Sequence, residues 1–311
     1  MVFSSLEFIF IFLPVFLLIY FLLPYRFKNN WLFIGSLVFY AYGALDNPLY
    51  ILLMIGSILV NYLLGLAIQY FQQHRNLWLI LGLIYNLGWL FVFKYSYFIF
   101  KSFNQIIAHI WPSSTFQLPL VNLLLPIGIS FYTFQILSYL IDVYKGTIKA
   151  ELSLVNLGAY LCMFPQLIAG PIVIYSPVSE QLRYRKYRLS LFDNGLKDFA
   201  IGLGLKVLLA NQIGNLWSDI SAIGYDSIST PLAWMGIISF SLQIYFDFFG
   251  YSLMAVGLGK MLGFQLPQNF DHPYLSLSMT EFWRKWHMTL GGWFREYVYI
   301  PLGGNRRGTL L

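Results

Sequence analysis

Charge is what this chain has least of. Only 10% of its 311 residues are Asp, Glu, Lys or Arg, against about a quarter in soluble domains. Hydrophobic residues make up 58% and aromatics 20%, and the mean hydropathy is +0.65. That balance excludes an ordinary soluble enzyme and places the chain among multi-span helical membrane proteins. A single cysteine, Cys162, excludes an internal disulfide and a multi-cysteine metal site; it reads as a small buried residue, and no metal is expected. No polar linker or low-complexity tract divides the chain, so residues 1–311 read as one membrane domain. The N-terminal LEFIFIFLPVFLLIYFLL lacks both a charged leader and a small-residue cleavage site, and reads as a retained first span. A nucleic-acid partner is excluded as well: the net charge of +6 lies in short loops, with no contiguous basic face.

What is present is a series of apolar runs near 6–23, 31–45, 48–70, 77–98, 121–143, 198–217 and 231–250. A hydrocarbon core about 30 Å thick needs roughly 20 helical residues, so these runs predict spans. PYRFKNN (24–30) and QQHRN (72–76) are basic while GALDNP (43–48) carries only Asp46. The positive-inside bias therefore puts residues 24–30 in the cytoplasm. Lys145, Lys149 and the cluster RYRKYR (183–188) fall on the same side. The run between them, LVNLGAYLCMFPQLIAGPIVIYSPV, is too short for two full spans and contains Pro165, Gly170, Pro171 and Pro177. Proline removes backbone donors, and irregular backbone at membrane depth survives only when buried or lining a cavity. Residues 154–176 are thus predicted to form a re-entrant or broken helix. A kinked ordinary span, with the basic loop outside, is the alternative.

Three ionisable groups fall within or near spans, where charge usually faces a partner or a cavity. Asp142 reads as an interfacial partner of Lys145. Lys206 either snorkels to the surface or is buried. Asp247 sits between Tyr245 and Tyr251 with no cation near it in sequence; the two hydroxyls suggest either a structural hydrogen-bond network or a functional cavity.

The segment EFWRKWHMTLGGWFREYVYIPLGGNRRG (281–308) stands apart. On one continuous helix Trp283, Trp286, Leu290, Trp293 and Tyr297 form an aromatic stripe. Arg284, Lys285, Gly291, Gly292 and Arg295 take the other side, and His287 falls on the border. Such a helix suits a membrane–water boundary. Two mid-helix glycines suggest close approach of a backbone or a substrate, since each costs about 1 kcal/mol against Ala. The turn at Gly303, Gly304 and Asn305, with Arg306 and Arg307, offers amides and guanidiniums to an anion, though an ordinary basic loop reads the same. His287 can exchange protons near neutrality; beside Arg284 and Arg295 it is expected to stay neutral, as a general base needs. A purely structural histidine is the alternative.

That segment resembles a hallmark block of the membrane-bound O-acyltransferase (MBOAT) family, in the bacterial branch that handles alginate and teichoic acid. FSSLEFIFIFLPV, LVFYAYG, LPIGISFYTFQILSYLIDVYKG, MFPQLIAGPI and QIYFDFFGYSLMAVGLGKMLGF are similar to further blocks, in order, from residue 3 to residue 308. The resemblance implies an all-α ring of helices around a tunnel in the bacterial cytoplasmic membrane. An acyl group, acetyl foremost, would come from a cytoplasmic thioester such as acetyl-CoA or an acyl carrier, a cosubstrate in an enzyme without a resident cofactor. It would pass to a hydroxyl of an extracytoplasmic polysaccharide, with a partner transferase protein as a candidate intermediary. It assigns His287 to the tunnel, and makes Pro165, Gln166, Gly170, Pro171, Tyr245, Asp247, Tyr251, Arg284, Trp286, Arg295 and the Gly303–Asn305 turn candidates for its lining or mouth.

Two departures accompany it. Phe249 and Leu253 stand where the family block usually has a serine and a second acid. The family's main catalytic histidine belongs to a later Trp-His-Gly block that lies beyond Leu311, so the expectation is a truncated sequence or a homologue lacking that base. An inactive scaffold and, behind it, a transporter are the competing readings.

Overall fold

The computed structural model describes residues 2–45, 47–111, 116–120, 123–168, 170–224 and 227–306. Asp46 and Arg307, used above for the loop charge and the anion turn, lie outside the described residues, as does the side chain of Arg306. Among the described residues the chain is helical, with no strand.

A π-helical turn, Phe8–Phe12, leads into α1 (Leu13–Leu22). There follow α2 (Lys28–Gly43), α3 (Leu49–Tyr70), α4 (Arg75–Ile110) and α5 (Ile129–Lys145). The broken region then gives α6 (Leu154–Cys162), α7 (Phe164–Leu167) and α8 (Tyr175–Arg183). Next, α9 (Leu189–Gly204) runs through a π-helical stretch, Leu205–Ala210, into α10 (Asn211–Ile223). Then come α11 (Thr230–Met261), α12 (Met279–Lys285) and α13 (Met288–Phe294).

Four of these helical stretches are long and apolar enough to cross a membrane: Leu49–Tyr70, Gln72–Ile110, Leu189–Ile223 and Thr230–Met261. The other apolar runs make shorter helices. The expected span at 121–143 does not begin until Ile129, because Pro126 and a left-handed Gly128 (φ 71°) hold the chain out of helix. A Cβ at Gly128 would also collide with the carbonyl oxygen of Leu167. In the other direction, α4 outruns its apolar pattern and reaches about 54 Å at 1.5 Å per residue.

The broken helix is present. Met163 leaves helical geometry (ψ 110°), Pro165 opens the four-residue α7, and Gly170 and Pro171 precede an extended run into α8. Residues 157–167 are buried throughout, which satisfies the condition for irregular backbone at membrane depth. At the far side of this region Tyr25 donates its hydroxyl to the Arg183 carbonyl (3.0 Å) and accepts from the Arg185 amide (2.8 Å). The basic loops 24–30 and 183–188 therefore sit at the same end of the bundle. That excludes the kinked single span, which would have separated them.

Two packing devices suit a bundle without a hydrophobic drive between helices. Asn61 on α3 and Asn86 on α4, both buried, exchange amide hydrogen bonds of 3.0 and 2.7 Å. Each gives its second N–H to the carbonyl one turn back, Ser57 or Gly82. The second device joins α9 to α11. Gly195 and Gly202 lie two turns apart on one helix, Gly257 and Gly250 two turns apart on the other. A Cβ at Gly202 would stand 2.5 Å from the Gly250 oxygen, and one at Gly195 would stand 2.6 Å from the Gly257 oxygen. Backbone here touches backbone. Gly202→Leu is therefore expected to destabilise by at least the ~1–3 kcal/mol of core overpacking. Gly204→Leu, where a Cβ meets nothing, should be nearly neutral. Thermal unfolding followed by size exclusion in detergent compares them; equal melting would refute the contact.

Candidate functional site around His287

The segment that reads as one amphipathic helix is two. Ser278 caps α12 by accepting the Glu281 amide (3.1 Å), while Glu281 returns its carboxylate to the Leu277 amide (2.9 Å) and to Lys285 (2.8 Å). The helix ends after seven residues. Trp286 turns extended (ψ 125°), His287 enters the left-handed region (φ 44°, ψ 53°), and α13 starts at Met288. A left-handed conformation costs an L-residue about 1–2 kcal/mol, so something must hold the break open.

Asn269 holds it. Its backbone oxygen accepts the Met288 amide (2.9 Å). Its side-chain oxygen accepts the Thr289 hydroxyl (2.6 Å) and the Thr289 amide (3.4 Å), and lies 3.1 Å from His287 Nδ1. A carbonyl oxygen only accepts, so Nδ1 carries the imidazole proton and Nε2 is left with its lone pair. Thr289 Oγ1 in turn accepts the Ile172 amide (3.0 Å). The knot thus ties the end of the broken helix, the loop after α11 and the histidine turn to one point. Asn269 is 2% exposed and its Nδ2 has no partner among the described residues.

Aromatic rings wall the turn. Phe248 meets the His287 ring edge-on at 4.8 Å, Phe270 packs edge-on to Trp286 at 5.1 Å and to Phe248 at 5.0 Å, and Tyr245 lies 6.2 Å from Trp286. This apolar wall disfavours the imidazolium, and burial pushes His287 down to about 4. The imidazole is neutral, as expected, but for a different reason. Arg284 and Arg295 both point outward and are exposed; desolvation alone keeps the ring neutral.

Other expected site residues fall elsewhere. Asp247 pairs with Lys206 across the α9–α11 seam, not with Tyr245 or Tyr251. Lys206 neither snorkels nor stands alone, because the π-helical stretch 205–210 carries it opposite Asp247. Tyr251 is buried, stacked on Phe3 at 4.6 Å, with its hydroxyl unpartnered among the described residues. Asp142 accepts from Tyr297 (2.8 Å), while Lys145 lies 5.3 Å from the Tyr297 ring; there is no Asp142–Lys145 ion pair. Pro165, Gln166, Gly170 and Pro171 are buried, and Gln166 donates to the Tyr160 carbonyl. No backbone closes on Gly291 or Gly292: the nearest atom to a Cβ there is the Trp283 oxygen at 3.9 Å from Gly291. At the final turn Gly303 and Gly304 take positive φ, and Tyr299 donates its hydroxyl to Asn305. Phe249 and Leu253 line a cavity of about 160 Å³ with Asn269, Asp271 and His272. The two departures from the family block thus border the site, and an acid reaches the same cavity from the loop after α11.

Asn269, Thr289 and His272 were missed. His272 is left-handed like His287 (φ 46°) and lies 3.0 Å from Asp271.

A helical membrane protein with a broken helix and a desolvated histidine is the class that this geometry defines. The family described as "MBOAT, membrane-bound O-acyltransferase family" matches residues 147–310, and the chain belongs to that family. It is 43% identical, over 99% of its length, to a Pseudomonas aeruginosa protein named "Probable alginate O-acetylase AlgI", of which it covers 58%. It is 39% identical over 98% of its length to the peptidoglycan O-acetyltransferase of Helicobacter pylori, covering 62%. The teichoic acid D-alanyltransferase of Bacillus subtilis is 31% identical over 62% of this chain and is covered to 50%. The chain therefore spans about three fifths of the length of the relatives it matches across its whole extent.

The assignment of the imidazole proton is directly testable. ¹⁵N-histidine NMR of the protein in detergent should show His287 as the Nδ1–H tautomer, titrating near pH 4. Because the folded value is depressed, the neutral ring favours folding above the ordinary value of about 6.5. That stability is lost as pH falls toward 4. A midpoint at or above 6.5 would refute the desolvated turn.

Proposed function

We propose that this chain forms part of a membrane-bound O-acyltransferase that moves an acyl group, acetyl foremost, from a cytoplasmic thioester to a hydroxyl of a cell-surface polysaccharide. The donor is taken to be acetyl-CoA or an acyl carrier, the setting the bacterial cytoplasmic membrane, and the acceptor lies on its outer side. The observation that carries the reading is His287: neutral, half-buried, with Nδ1 tied to Asn269 and Nε2 unprotonated, inside the stretch that matches the family. Likeness to proteins named for O-acetylation of alginate and peptidoglycan supports a polysaccharide acceptor.

In the reaction the acceptor oxygen bonds to the thioester carbonyl carbon, the C–S bond breaks, and the hydroxyl proton ends on the departing thiolate or on a base. An unprotonated Nε2 cannot donate to a developing oxyanion. It can accept a hydrogen bond from the attacking hydroxyl or from the donor, and so fix the angle of approach. Misplacement of reacting groups by about 1 Å can lower rate about 10²-fold.

The full-length protein carrying His287→Ala, at equal membrane abundance, is accordingly expected to lose about 10²-fold in ester formation, read as acetyl released from the polysaccharide by base. His287→Gln, which restores an acceptor near the same place, should recover part of that loss. Wild-type ester content in His287→Ala would overturn the role, and transfer of no acyl group at all by the unsubstituted full-length protein would overturn the function.

A further inference from the structure

A basic cluster lies apart from the His287 turn, at the bundle end that carries loops 24–30 and 183–188. Arg185 is 4% exposed, yet its Nη1 has no partner among the described residues. The rest of its guanidinium bonds Asn29 (2.5 Å) and Tyr187 (3.2 Å) and lies 4.4 Å over the Phe264 ring. Lys28 is 7% exposed, caged by Tyr20, Phe21 and Tyr187 at 4.9, 5.3 and 4.0 Å. Lys186 and Arg188 are exposed beside them. Among the described residues no carboxylate pairs with any of these four.

This cluster opens on two adjoining hollows. One, about 420 Å³, is polar and basic, lined by Arg185, Lys186, Arg188, Ser190 and Asn194 with no acid in its wall. The other, about 360 Å³, is mainly apolar, lined by Phe21, Leu189, Phe192 and Met261, with Lys260 in its wall already paired to Asp198. Arg188, Leu191 and Gly263 belong to both walls, so the hollows form one groove with a cationic half and an apolar half. Cationic lining asks for an anion; a contiguous apolar half on the outer surface of membrane helices asks for a hydrocarbon chain attached to it. Buried cations without counter-ions are costly unless a partner arrives.

We propose that this groove binds an anionic phospholipid, its phosphate at Arg185, Lys186 and Arg188 and an acyl chain along Phe21, Leu191 and Phe192. No residue of the His287 turn lines this groove, and the proposal does not rest on the acyl-transfer reading.

The test is native mass spectrometry of the full-length protein in detergent with dioleoyl-phosphatidylglycerol or dioleoyl-phosphatidylcholine, with coenzyme A as competitor. Phosphatidylglycerol should be retained preferentially. Lys186→Gln and Arg188→Gln, exposed changes that remove no packing, should each weaken retention about fivefold, the worth of about 1 kcal/mol per surface cation. Leu191→Trp, which fills the apolar half, should weaken retention of both lipids. Equal retention of the two lipids by the unsubstituted protein would overturn the proposal, as would indifference to both charge substitutions. Displacement of phosphatidylglycerol by coenzyme A would assign the cations to the donor's phosphates instead and overturn it too.

Discussion

The side-chain oxygen of Asn269 is the point on which the site depends. It gathers donors from His287 and Thr289, and Thr289 passes the connection on to the Ile172 amide. Residues 172, 269 and 287 come from separate segments, and three hydrogen bonds fix them together. A buried amide bond contributes only about 1 kcal/mol net, but leaving its partners unmet in an apolar site costs more. The left-handed His287 is tolerable because these partners over-determine it. Without Asn269, the chain's own preference would be to continue the helix and turn the imidazole away from Phe248.

α11 sets where that knot can sit. One face carries Gly250 and Gly257 into backbone contact with α9, and Asp247 to Lys206. Another face carries Tyr245 and Phe248 to Trp286 and His287. Consecutive residues on a helix are 100° apart, so the step from Asp247 to Phe248 separates an ion pair from a histidine wall. The close α9 contact leaves α11 little freedom to rotate, and the angle at which Phe248 meets the imidazole is fixed by the glycine contacts at Gly250 and Gly257 on the same helix.

The apolar runs, the break at Pro165–Pro171 and the sharing of one end by two basic loops were legible in the sequence, because each rests on a local rule: hydrophobic length, missing donors, loop charge. The break at Trp286–His287 was not. Helical spacing holds within each half, and a periodic stripe gives no sign that a left-handed residue interrupts it. Asn269 was silent for a different reason, since an amide in the loop LPQNFDH carries no pattern until its partners are known. The Lys206–Asp247 pair had a usable signal: glycines spaced by seven on two helices imply one antiparallel register, and one turn beyond Gly202 that register reaches Asp247.

The state of His287 also limits what it can be asked to do. General-base catalysis is most effective when the group's proton affinity lies near the working pH, and a ring held to about 4 is a weak proton acceptor at neutrality. What burial and the Asn269 bond do give is constancy: one tautomer, one orientation, and a lone pair present across the physiological range. Those are the properties of a group that positions a hydroxyl or a donor. Proton removal at neutral pH then calls for a group of higher affinity, so the geometry on this chain supplies the aim of the reaction more readily than its driving base.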